Sequence, residues 1–148
     1  MPNEIEIPPR RRPDGDAGYL EEMTKAIFQA GFSWQVIRNK WPNFRQAFDG
    51  FDVDTVAAYE APDVERLLAD AGIVRNGRKI MATVDNARTI QALSREHGSF
   101  HAYLRSLDST PYPQRRQLLT QRFKGLGRTG CFVFLWCVDE EVPDWEQR

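Results

Sequence analysis

Lys124-Gly125-Leu126-Gly127-Arg128-Thr129 is the stretch of this 148-residue chain best suited to hold an anion. Two glycines flank one apolar residue, and glycine reaches backbone angles closed to other residues. No side chain then stands between the backbone N–H groups and an incoming phosphate. A helix predicted to begin directly afterwards points its positive dipole end and its free N–H groups at the same spot. Lys124 and Arg128 add charge at the rim, and Leu126 anchors the turn inward. Without a ligand, the same residues are an ordinary interhelical turn.

The surroundings favour phosphate contact. Net charge is −1, which alone argues against a strongly basic nucleic-acid protein. The distribution says more. From Thr110 to Cys137 there is no Asp or Glu, while Arg115, Arg116, Arg122, Lys124 and Arg128 are basic. The stretch from Asp139 to Arg148 holds five acids and one base. Local positive charge is what a phosphate needs. Arg10-Arg11-Arg12 lies in a Pro- and Gly-containing stretch, so residues 1–16 read as a flexible basic arm and residues 17–148 as one domain.

Other chemistries fit poorly. Cys131 and Cys137 match neither a redox pair nor a zinc knuckle. On one helix they would point roughly 600° apart, so core packing is expected. His97 and His101 have no cysteine nearby, and no metal or cofactor is expected. No apolar run approaches the ~18 residues of a membrane span. The first residues lack the apolar core of a secretory signal. A cytoplasmic protein without membrane contact is expected.

Helical periodicity positions these residues. Leu20, Met23, Ile27 and Ala30 recur at three- and four-residue spacing, with Asp16 as N-cap and Gly31 as stop. Ser33 caps a helix from Trp34 to Lys40, which Pro42 breaks or follows. Phe44, Phe48 and Phe51 continue an aromatic core face. Asp52 caps a short helix, and Ala61-Pro62-Asp63 opens another that Gly72 ends. Ile80, Val84, Ala87 and Ile90 mark a longer helix after Asn76, closed by Gly98. Short helices follow from Ser99 and from Gln114, and a last apolar one runs from Thr129 to Val138. No useful strand alternation appears, so the fold class is all-α.

The hairpin fits the helix-hairpin-helix pattern apolar-x-Gly-apolar-Gly-x-x-small, whose phosphate contacts carry no base information. Three blocks extend the likeness. They are Gln29-Ala30-Gly31-Phe32-Ser33-Trp34 with the Phe44…Phe48…Phe51-Asp52 series; Asp63 through Arg75, then Lys79-Ile80 and Asn86-Ala87-Arg88; and Phe123-Lys124 through Gly127 with Thr129 and Cys131. On these residues the chain resembles the type I 3-methyladenine DNA glycosylases of the helix-hairpin-helix glycosylase superfamily.

The resemblance implies a multi-helix glycosylase-like domain that acts on double-stranded DNA holding a damaged base. Such an enzyme flips an alkylated purine into an aromatic pocket and hydrolyses the N-glycosidic bond. Carried over by position, Trp34 stacks on the base and Phe32 wedges into the vacated stack. Lys124 through Thr129 hold the backbone. Tyr19, three residues before Glu22 on the same helix, is a candidate second pocket wall, with Phe28 and Ala26 also placed in the pocket. Three departures stand out. The family's base-recognising Glu falls at Ala26. Its N-terminal Cys, Tyr-His and Trp-Gly residues are absent. Its late zinc-binding His and Cys are missing, with Asp144 near that His position. Glu22, one turn before Ala26, is the candidate replacement carboxylate, and Asp144 or Asp139 a candidate for stabilising the sugar cation. A monomer is expected. Two further readings stay open: a non-catalytic DNA-binding module derived from this fold, and a helical interaction domain with no nucleic-acid role.

Overall fold

The computed structural model describes residues 8–148, which fold as eight α-helices and two single 3-10 turns, with no strand among them. The helices are α1 (Asp16–Gln29), α2 (Trp34–Ala47), α3 (Val53–Ala57), α4 (Ala61–Leu68), α5 (Gly77–His97), α6 (Phe100–Arg105), α7 (Tyr112–Arg122) and α8 (Arg128–Cys137). The all-α expectation holds. Residues 1–7 of the expected arm lie outside the described residues. From Pro8 onward the chain runs against α8. Arg11 N–H donates to Cys137 O (3.0 Å), and the Arg10 guanidinium sits 4.2 Å from the Trp136 ring centroid.

Local caps fix most helix starts. Ser33, Asp52, Asn76 and Ser99 each accept a backbone N–H of the first turn that they precede. Gly98 closes α5 in a left-handed conformation, φ 97°. Asp16 is the exception. Gly15 holds the cap position of α1, and the Asp16 carboxylate instead accepts Phe100 N–H at the start of α6 (3.0 Å). A long-range partner has taken a side chain that local pattern assigned to its own helix. Pro42 does not break α2, which continues to Ala47. Conversely, α4 stops at Leu68, short of Gly72.

The core forms where α1 meets α5 and α8. Leu20, Met23 and Ile27 are buried as their spacing required, whereas Ala30 lies beyond the helix end and is exposed. Trp41, Phe44, Phe48 and Phe51 stack in series, with neighbouring centroids 4.9 to 6.5 Å apart. Removing each such ring from water contributes about 1.5–3 kcal/mol. Both cysteines are buried and unpaired, and burial pushes their thiols up to about 12, which suits packing rather than reactivity.

Candidate nucleic-acid interface and base pocket

The hairpin between α7 and α8 sits in a notch formed by α1 and α5. Gly125 has φ +75°, and a Cβ there would lie 3.2 Å from Ile27 Cγ2 and 3.5 Å from Ala82 Cβ. Only glycine meets both demands. Gly127 is different: its φ is −87°, so the backbone does not require glycine. What its bare Cα provides is open space, because nothing lies within 4 Å of an added Cβ. Leu126 is buried, as the anchoring role demands.

Asn86 on α5 holds the hairpin in place. Lys124 N–H donates to Asn86 Oδ1 (2.8 Å), and Asn86 Nδ2 donates to Lys124 O (2.9 Å). This side chain is 1% exposed, so both bonds are sheltered from water. Past Lys124 the pairing stops. Among the described residues, the N–H groups of Gly125 through Gly130 find no acceptor, and the first bond of α8 is Cys131 N–H to Gly127 O (2.8 Å). The acidic tail does not cover them. It reaches this corner through Arg148, whose Nε donates to Thr129 Oγ1 (3.0 Å). Lys124 Nζ pairs with Asp85 (2.9 Å) at a largely exposed position.

On the α8 side of this corner opens a cavity of about 470 Å³, within the ~300–1,000 Å³ range of small-molecule sites. Trp34, Phe32 and Ala26 line it, together with Gln29, Thr129, Gly130, Val133, Trp136 and Trp145. Ser33, by capping α2, sets the turn that places Phe32 and Trp34. Lys79 braces the same turn from α5, donating to Phe28 O (3.2 Å) and Ala30 O (2.7 Å) at the end of α1. Phe32 is 48% exposed, an unusual position for a phenyl ring beside a cavity. The Trp34 Nε1–H is buried with no acceptor among the described residues.

Other predicted pocket residues are placed elsewhere. Tyr19 is 1% exposed, and its hydroxyl is hydrogen-bonded to His101 Nδ1 (3.1 Å). Phe28 is fully buried, edge-on to Phe44 at 4.8 Å. Neither lines the cavity, because α6 covers the first and α2 the second. Asp144 is exposed at the start of the 3-10 turn Trp145–Gln147, and Asp139 is exposed at positive φ beside Arg10. Glu22 does not line the cavity either. It pairs with Lys25 (3.3 Å), and its charge acts on the Cys137 thiol. Burial raises the Glu22 carboxyl above its ordinary value, with Lys25 opposing. The ionised form is therefore penalised by folding. Stability is fully present below the unfolded carboxyl value and is lost as pH rises through the folded one. Thermal unfolding of Glu22→Gln is expected to gain on the parent protein between pH 4 and pH 7, the two converging at the acid end.

Pattern reading missed Trp136, Trp145 and Gln29 as lining residues. A signal existed for the first: Thr129, Gly130, Val133 and Trp136 recur at helical spacing along one side of α8. Trp145 carried none, since a tail contact brings it in, with its ring 5.4 Å from Phe132 and Arg148 stacked on it at 3.9 Å. No group of three His, Cys, Asp or Glu converges among the described residues.

Comparison with known proteins identifies relatives of the chain and of its fold. The family model described as methyladenine glycosylase matches residues 11–125. DNA-3-methyladenine glycosylase 1 of Escherichia coli is 42% identical over 83 residues, which cover 51% of this chain and 44% of that protein. The chain thus aligns with under half the length of that relative. DNA-3-methyladenine glycosylase of Haemophilus influenzae is 27% identical over 138 residues, covering 78% of this chain and 75% of its own. A solved tyrosine-to-phenylalanine variant of 3-methyladenine DNA glycosylase I, in complex with 3-methyladenine, superposes with a TM-score of 0.77 at 25% identity, covering 93% of this chain and 86% of that one. With the Phe32–Trp34 turn and the Asn86-clamped hairpin in place, and a family model matched over most of its length, the chain belongs to the methyladenine glycosylase family.

Proposed function

We propose that the chain is a DNA N-glycosylase of base-excision repair that removes alkylated purines from double-stranded DNA, working as a cytoplasmic monomer. One observation carries the reading. The unpaired amides at the start of α8, the exposed Phe32 ring and a tryptophan-lined cavity share one corner of the molecule.

The amides from Gly125 to Gly130 hold a backbone phosphate as a set of donors, with the α8 dipole adding to them. Phe32 enters the base stack, and the displaced nucleotide turns into the cavity. Trp34 stacks on the base. A purine alkylated at N3 or N7 in DNA is a cation, so the aromatic wall attracts it beyond simple stacking. Its positive charge also activates it as a leaving group. The C–N bond then breaks toward an oxocarbenium-like sugar, which water captures, and the electron pair of the bond leaves with the neutral base. This route asks little of an acid, in keeping with a cavity lining that holds no carboxylate among the described residues.

The test is release of free base from methylated duplex DNA by purified protein. The reading expects chromatographically detectable 3-methyladenine. A second reading, a DNA-binding module without turnover, is favoured by Ala26 in place of the family Glu and by Glu22 lying outside the cavity. It expects salt-sensitive duplex binding, weakened by Lys124→Glu, and no base in the filtrate.

A further inference from the structure

The cavity needs a polar group to tell one base from another, and its lining offers few. Among the described residues, no ionisable side chain lines it. Trp136 Nε1–H already donates to Pro8 O (3.2 Å), and Thr129 Oγ1, which accepts from Arg148 Nε (3.0 Å), keeps a single O–H and cannot present a donor and an acceptor on neighbouring atoms. The Trp34 Nε1–H is buried out of reach of a ligand. Gln29 remains. It lies one helical turn after Ala26 on α1, so the two stand side by side on one face. Ala26 is small and leaves the space in front of it clear. Among the described residues no group engages the Gln29 carboxamide, and the residue is half-buried.

We infer that Gln29 is the specificity-determining residue of the pocket and that it reads the amino-and-ring-nitrogen edge of an adenine-type base. The inference rests on the glycosylase reading above. A carboxamide carries an acceptor beside a donor, the complement of an exocyclic amine next to an unsubstituted ring nitrogen. Glutamine pairs with that edge of adenine through two hydrogen bonds, and such a pair discriminates strongly against the wrong base. A guanine-type base substituted at N7 offers a carbonyl and a methyl group at the same edge and cannot form the pair. Being neutral, the amide selects by hydrogen-bond pattern and leaves attraction for the lesion's charge to the tryptophan rings. Selection by Gln29 is therefore independent of pH in the range where a carboxylate would titrate.

The experiment measures binding of two free bases, 3-methyladenine and 7-methylguanine, by quenching of tryptophan emission, for the full chain and for Gln29→Ala. The unaltered chain is expected to prefer 3-methyladenine by about tenfold or more, and Gln29→Ala to bring the two bases within about threefold by weakening 3-methyladenine alone. An unchanged preference in Gln29→Ala overturns the inference, and so does an equal loss of both bases, which marks a merely structural role. A preference abolished by Glu22→Gln instead moves the reading group to that carboxylate and likewise overturns it. If the unaltered chain binds neither base, the pocket reading itself falls, and the inference with it.

Discussion

Asn86→Leu is expected to lower the stability of the protein by about 2–4 kcal/mol and to weaken duplex DNA binding at least tenfold. Asn86 is buried, and it satisfies both the N–H and the C=O of Lys124. Leucine has similar volume but neither donates nor accepts. Both backbone groups are then left unpaired at the root of the hairpin, and each sheltered, unsatisfied group costs about 1–3 kcal/mol. The loss is not confined to stability. Gly125 packs against Ile27 and Ala82 only while Lys124 is clamped, so the amides beyond it lose their fixed direction. A preorganised anion site becomes one that must be ordered on binding. Chemical denaturation and a fluorescence-anisotropy titration with duplex DNA measure the two effects. Asn86→Asp should fall between, because a carboxylate still accepts the Lys124 N–H but cannot donate to its carbonyl.

Trp34→Ala is expected to reduce base release about 10- to 100-fold while leaving the folded state and duplex affinity nearly unchanged. Stacking of a base on an aromatic side chain is worth about 1–3 kcal/mol. Trp34 is half-buried at the first position of α2, with its ring on the cavity side and its N–H unpaired. Little of the core depends on it, unlike Trp41, which stacks between Phe44 and Phe51. On the proposed reading the duplex is gripped chiefly by the hairpin, so affinity and turnover are expected to separate. Single-turnover base release beside anisotropy binding on the same preparation gives both numbers. Equal loss of binding and release would assign Trp34 to the fold instead.

Sequence alone revealed the parts of this site that are local in the chain. The hairpin was legible because Gly125, Leu126 and Gly127 supply the turn, the anchor and the opening within three residues. The Phe32–Trp34 turn was legible because Ser33 caps α2 directly after it. Parts built by distant segments were not. Periodicity correctly set Tyr19 and Phe28 on α1, but it does not say which neighbour covers each face. His101 closes over Tyr19, and Phe44 over Phe28, so both joined the core. Trp136 and Trp145 line the same cavity as Trp34 although they come from the far end of the chain. The clamps of Asn86 on Lys124 and of Lys79 on the end of α1 were hidden for the same reason, since a polar residue on a long helix carries no mark of its partner.

The claim beneath all of this is that the amides opening α8 are donors awaiting a phosphate. An amide-resolved NMR titration with a short duplex containing an abasic-site analogue addresses it directly. The account predicts that the Gly125–Gly130 amide signals and the Trp34 indole signal shift together at one saturating stoichiometry, and that added salt reverses the shift. Duplex binding that shifts other signals and leaves those amides where they were would contradict it.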